Sequence, residues 1–126
     1  MTLVDTSAWI EWLIGSPTGE RLSAYLPEQA NWLMPTMVQL ELDKWLQREV
    51  GEQKADQVIA FTQMCRIVDL DTDIALLASA LCRTHKLATA DAVIFATAKR
   101  HNARLVTCDA HFKGLPNVDL IEKTSP

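Results

Sequence analysis

The chain has 126 residues, 48% apolar and 22% charged, and its sixteen acids against twelve Lys and Arg leave a net charge of −4. Such a balance belongs to one folded domain rather than a disordered chain, and it argues against a basic domain that draws nucleic acid or anionic membrane by its overall field. Cys65, Cys82 and Cys108 form no C-x-x-C pair, which argues against a disulfide framework and a thiolate zinc site, while the lack of a leader or of a run near 20 apolar residues points to a cytoplasmic protein.

Leu3 and Val4 read as a very short strand that runs into Asp5, Thr6 and Ser7 and then into an apolar helix over residues 8–14, stopped by Gly15. Ser16 and Pro17 signal a second helix, with Leu22, Tyr25 and Leu26 at helical spacing before Pro27. Residues 31–34 form the second expected strand. Thr36 and Gln39 then have the spacing of a capping box for a helix that ends near Gly51. Its inward stripe is Val38, Leu42 and Trp45, and at about 100° per residue Glu41 falls on the same arc. Asp43, Lys44 and Gln47 fall on the solvated side.

Residues 52–64 read as the next helix and 66–70 as the third strand. Asp71 is the expected cap of a helix with Ile74, Leu77, Ala78, Leu81 and Cys82 in phase. Thr89 is the expected cap of a further helix that carries Asp91 and closes at Asn102. Residues 104–107 form the fourth strand, Asp109 leaves its end, and 118–121 form a short edge strand. Strands alternating with helices define an α/β/α domain with a mainly parallel sheet of about five strands.

In such a sheet, ligands bind where the carboxyl ends of the strands meet loops and helix N-termini. Asp5 and Asp109 follow strands directly, Glu41 lies in the second turn of the helix after strand two, and Asp91 opens the helix before strand four. All four acids are expected at the same end. Each also has a local reading: Asp5 as a helix cap, Asp91 as a complement to the helix dipole, Asp109 as a turn residue. Glu41 resists one, because a core-facing carboxylate needs a partner. Oxygen-only donors of this kind suit Mg²⁺ or Mn²⁺.

These residues resemble the PIN-domain family, and within it the small VapC-type toxins of toxin-antitoxin pairs. Val4-Asp5-Thr6-Ser7 looks like the opening V-D-T-S, Glu41 like the acid of the second motif, and Asp91-Ala92-Val93-Ile94-Phe95-Ala96-Thr97-Ala98 like the third. Leu105-Val106-Thr107-Cys108-Asp109-Ala110-His111-Phe112 looks like L-V-T-x-D-x-x-F. The likeness covers essentially the whole chain, 1–126, as a single PIN domain. It implies a metal-dependent endoribonuclease with Asp5, Glu41, Asp91 and Asp109 as metal ligands, and with Thr6, Ser7 and Thr107 orienting them or the attacking water. Some members carry a further acid where this chain has Ala110 and His111, so the number of ions stays open. The resemblance also implies a homodimer and a cognate VapB-type antitoxin. Its apolar segment would enter a groove for which Trp9, Trp12 and Leu13 are the candidates, with DNA reached only through the antitoxin.

The remaining features carry less. His85, His101 and His111 show no ligand spacing and read as structural or surface residues, His111 alone lying near the expected site. Asp69-Leu70-Asp71-Thr72-Asp73 lacks the Gly and Glu of a calcium loop and reads as capping. Lys99, Arg100, Arg104 and Lys113 are candidates for RNA phosphates, or simply solvated charges. A stand-alone PIN nuclease of RNA processing, an inactive PIN binding module and an Mg²⁺-binding response-regulator-like switch are the competing readings. The switch is disfavoured because Thr6 and Ser7, not a second acid, follow Asp5, and the binding module because all four acids are present. No G-x-x-x-x-G-K-[ST] or G-x-G-x-x-G occurs, which argues against nucleotide cofactors.

Overall fold

Leu3 and Val4, Leu33 and Met34, and Leu105 and Val106 are sequence neighbours in extended segments, and all six are at most 2% exposed. Successive strand residues point to opposite faces, so both faces of the sheet are covered and the domain has three layers. The computed structural model describes residues 1–24 and 28–123. Its strands are β1 (Thr2–Val4), β2 (Trp32–Pro35), β3 (Arg66–Val68), β4 (Arg104–Thr107) and β5 (Val118–Leu120). All neighbours pair in parallel in the order β3-β2-β1-β4-β5, with β5 at an edge. The register sets Leu3 beside Leu33 on one side and Leu105 on the other.

Among the described residues six helices connect these strands: α1 (Thr6–Ile14), α2 (Pro17–Leu22), α3 (Thr36–Glu49), α4 (Glu52–Thr62), α5 (Thr72–His85) and α6 (Thr89–Arg100), with short 3₁₀ turns at Gln29–Asn31 and Ala110–Phe112. Helix α6 buries seven successive residues, Ala92 through Ala98, and packs against β2, β4, α3 and α5. Its apolar circumference follows from that central position. Trp9 and Trp12 of α1, Trp32 of β2 and Phe61 of α4 meet edge-on or tilted at centroid distances of 5.1–6.1 Å. These contacts tie the first helix to the sheet and to α4.

Local signals hold at several boundaries. Gly15 ends α1 in the left-handed region at φ 68°, Ser16 Oγ caps α2 through the Gly19 N–H at 2.9 Å, and Asp71 caps α5 through the Ile74 N–H at 2.8 Å. Tyr25 and Leu26, expected in the second helix, lie outside the described residues. Two expected caps are corrected. Pro35, not Thr36, occupies the position before α3, Thr36 Oγ1 accepts from the Leu70 N–H, and Gln39 Nε2 donates to Thr62 Oγ1, so no capping box forms. Ala88 precedes α6, and Thr89 is its first residue without capping it. In both cases the strand or loop leads straight into the helix one residue earlier than the side-chain pattern suggests.

The three cysteines are free, with Cys65 and Cys108 buried. Among the described residues no helix is long and apolar enough to cross a membrane.

Candidate functional site

The order β2-β1-β4 makes the chain leave β1 toward one side of the sheet and return on the other, which opens a crevice at the carboxyl ends of these strands. Asp5 stands at the end of β1, fixed by a 2.9 Å bond from its N–H to the Val106 carbonyl of β4. Although Asp5 sits where a helix cap would, its carboxylate caps nothing. Ser7 Oγ and Thr107 Oγ1 each donate to Asp5 Oδ2 at 2.8 Å.

Both hydroxyls also accept. The Cys108 N–H donates to Ser7 Oγ at 3.0 Å, and the Asp109 N–H donates to Thr107 Oγ1 at 2.9 Å. One hydroxyl therefore links the carboxylate after β1 to the backbone of the acid after β4. Asp5 is 3% exposed, and burial pushes its carboxyl up to about 6, against the pull of the Thr107 and Ser7 hydroxyls and the Thr6 N–H, with the Asp91 charge adding to the rise.

Asp91 lies in the first turn of α6 and faces Asp109 across the crevice. Its carboxyl is raised above the ordinary range by burial first and then by the charge of Asp109; Glu41 pushes the same way and His111 opposes. Glu41 reaches the same region from α3, where Thr6 Oγ1 donates to its Oε1 at 2.7 Å. Asp91, Asp109 and His111 each offer a ligand atom within 4.8 Å of the others. Asp5, which feels the Asp91 charge, and Glu41, which acts on Asp91, lie beside that triple without joining it.

The His111 imidazole is what the sequence reading under-weighted. Its Nδ1 lies 3.2 Å from Asp109 Oδ1 and 3.4 Å from Asp91 Oδ2, with the side chain 75% exposed. The 3₁₀ turn Ala110–Phe112 puts it there: Asp109 Oδ1 accepts the His111 N–H at 2.9 Å, and the fully buried Phe112 anchors the turn. The signal available in the sequence was the two-residue offset from Asp109, the span of an Asx turn. Carboxylates that raise one another's proton affinity in a half-buried crevice match a hard divalent cation of the Mg²⁺ or Mn²⁺ kind, which neutralises them and leaves coordination positions for phosphate oxygen and water.

The other candidates sort by position. Trp9 is 0% exposed, so it is removed from any partner surface; its ring is surrounded by Trp12, Trp32 and Phe61. Trp12 and Leu13 line an open apolar groove of about 220 Å³ with Val58 and Phe61. Arg100 pairs with Asp73 and Arg104 with Asp119, while Lys99 lies 5.6 Å from the Phe95 ring centroid. Arg104 begins β4, at the end of the strand remote from the crevice. Of the four cations singled out in the sequence, Lys113 is the one beside the acids.

A parallel α/β/α sheet with a carboxylate cluster across its switch point places the acids where sheets of this kind bind their ligands. The model of the PIN domain matches residues 2–118. The chain belongs to the PIN-domain family. No curated protein sequence matches it significantly. Among solved structures it is similar to a toxin-antitoxin complex from Klebsiella pneumoniae, at 23% identity over 98% of this chain and 100% of that one, with a TM-score of 0.86. Mycobacterium tuberculosis VapC20, a sarcin-ricin loop cleaving toxin, is 22% identical over 91% and 92% of the two chains at a TM-score of 0.71. Rickettsia felis VapBC2, bound to a DNA fragment from its promoter, is 18% identical over 98% of both chains at a TM-score of 0.73. At these identities the likeness is one of fold.

Proposed function

We propose that this chain is a VapC-type toxin: a divalent-metal-dependent endoribonuclease, homodimeric, and inhibited by a cognate VapB-type antitoxin. The observation that carries this reading is the convergence of Asp91 and Asp109 in the crevice beside Asp5, with Glu41 turned toward them by Thr6. The fold shared with chains of a toxin-antitoxin complex and of a VapBC complex supports the toxin assignment.

Asp91 and Asp109 would hold Mg²⁺ or Mn²⁺ together with Asp5 and Glu41, and the ion would supply charge for the scissile phosphate and lower the pKa of the attacking water. The chain's own residues do the rest. Ser7 and Thr107 fix Asp5 in one orientation through two hydroxyl bonds to its Oδ2. Thr6 fixes Glu41 in the same way. A carboxylate at the rim accepts the proton of the attacking water, and His111, exposed and within reach of Asp91 and Asp109, stands where a proton can pass to solvent. The antitoxin would dock its apolar segment over Trp12 and Leu13 and bring a basic residue toward the acids.

A transcriptome-wide map of new RNA 5′ ends after brief induction, beside Asp5→Asn at equal expression, tests the reading. Discrete ends that vanish in the variant, together with growth arrest, are expected. Ends without arrest would favour a processing nuclease, and cleavage that persists in EDTA would overturn the metal mechanism.

A further inference from the structure

On the β5 side of the acidic cluster lies an open pocket of about 560 Å³ that the metal-site reading does not use. Ser7 and Asp109 form the wall it shares with the crevice; Cys108, Ala110 and Leu120 give it apolar surface; Lys113 and Lys123 stand at it with Glu122. Arg21 donates to the Glu122 backbone carbonyl and so ties this segment to the end of α2. The pocket is in the size range of small-molecule sites.

A polyanion approaching a chain of net charge −4 needs cations beside the cut, and the structure shows which ones are free to serve. Arg48, Arg100 and Arg104 are paired with Glu49, Asp73 and Asp119. Lys113 and Lys123 form no ion pair among the described residues, and both line a cavity that is continuous with the acids. Cys108 is largely buried and, with Ala110 and Leu120, gives the pocket its apolar side. One charged rim and one apolar side suit a phosphate and a base of the same unpaired nucleotide.

We propose that this pocket is a nucleotide subsite, which takes one unpaired nucleotide of single-stranded RNA next to the scissile phosphate and holds its phosphate with Lys113 and Lys123. The inference rests on the ribonuclease reading and adds the substrate contact that positions the strand. Because the contact is with phosphate, its signature is in salt dependence: each phosphate contact to a single strand contributes about 0.7 to the slope of log affinity against log salt.

The experiment is a salt titration of the binding of a fluorescent single-stranded RNA oligonucleotide, with every protein carrying Asp91→Asn to prevent cleavage. K113A/K123A should weaken binding several-fold and reduce the slope by about 0.7, the value for the one phosphate they hold, and K113R/K123R should keep it. K44A/K54A removes the same charge outside the pocket and should leave the slope unchanged. An unchanged slope in K113A/K123A, or an equal loss in K44A/K54A, overturns the subsite while leaving the nuclease reading in place. Absence of both binding by the Asp91→Asn protein and cleavage by the wild type overturns the nuclease reading, and the subsite with it.

Discussion

Thr6 Oγ1 donates a 2.7 Å hydrogen bond to Glu41 Oε1, so the residue that opens α1 holds an acid 35 positions away on α3. The partner that a core-facing carboxylate requires is a hydroxyl, not a cation. A neutral partner leaves the negative charge of Glu41 available to the crevice.

Thr6→Val removes that donor at nearly constant volume. Affinity for Mn²⁺ should fall roughly 10–100-fold, the usual cost of losing a group that orients a metal ligand, and stability should drop by about 1 kcal/mol. Thr6→Ser should restore both. Isothermal titration and urea unfolding measure the two quantities, and unchanged metal affinity in Thr6→Val would detach Glu41 from the site.

Asp5 makes the metal-free protein sensitive to pH with a definite sign. Its folded value of about 6 lies above the ordinary 3.8, so the folded chain holds more protons than the unfolded one between those values, and stability falls as pH rises through that window. The full effect is about 3 kcal/mol. In EDTA, Asp5→Asn should flatten most of this slope and be the more stable protein near about pH 8, while matching the wild type near about pH 4. Asp91, raised in the same direction, keeps a smaller slope in the variant. Mn²⁺ should stabilise the wild type more at the higher pH, because its ligands bind deprotonated. Thermal melts across pH that coincide for the two proteins would contradict the burial of a charged Asp5.

Gly19 is where α2 passes closest to α1. A Cβ built there would meet the Glu11 carbonyl oxygen at 2.1 Å and the Trp12 Cα at 2.9 Å. These are backbone atoms that no rotamer change relieves. Gly19→Ala should therefore cost at least about 1–3 kcal/mol by overpacking, even though Ala favours helices. Stabilisation in urea unfolding would show that α2 shifts away freely.

Leu13→Lys tests the groove against the acidic crevice. It places a charge beside Trp12, Val58 and Phe61 and should weaken capture of the cognate antitoxin by tenfold or more while leaving RNA cleavage intact. Loss of cleavage with antitoxin binding retained would move the partner surface elsewhere.

The alternation of short apolar strands with amphipathic segments was enough to give the sheet, since the three central strands bury consecutive residues and so must lie between two helical layers. The positions of Asp5, Asp91 and Asp109 at its carboxyl edge followed from element order alone. Tertiary partners were not legible. Thr36 and Gln39 have the spacing of a capping box, but the Leu70 amide and the Thr62 hydroxyl claim them. Trp9, Trp12 and Leu13 looked equivalent within one apolar helix, and only the placement of Trp32 and Phe61 decides that Trp9 is enclosed. His111 has no ligand spacing in the sequence because its partner Asp91 comes from another helix.

The bond from Thr107 to Asp5 spans 102 positions, and that separation governs when the acidic site becomes ordered. A nascent chain exposes β1 first and folds from its leading end, yet Asp5 finds its oriented state only after β4 has left the ribosome and slotted beside β1. Throughout most of translation the growing polypeptide lacks this oriented carboxylate, and the complete site arrives close to release.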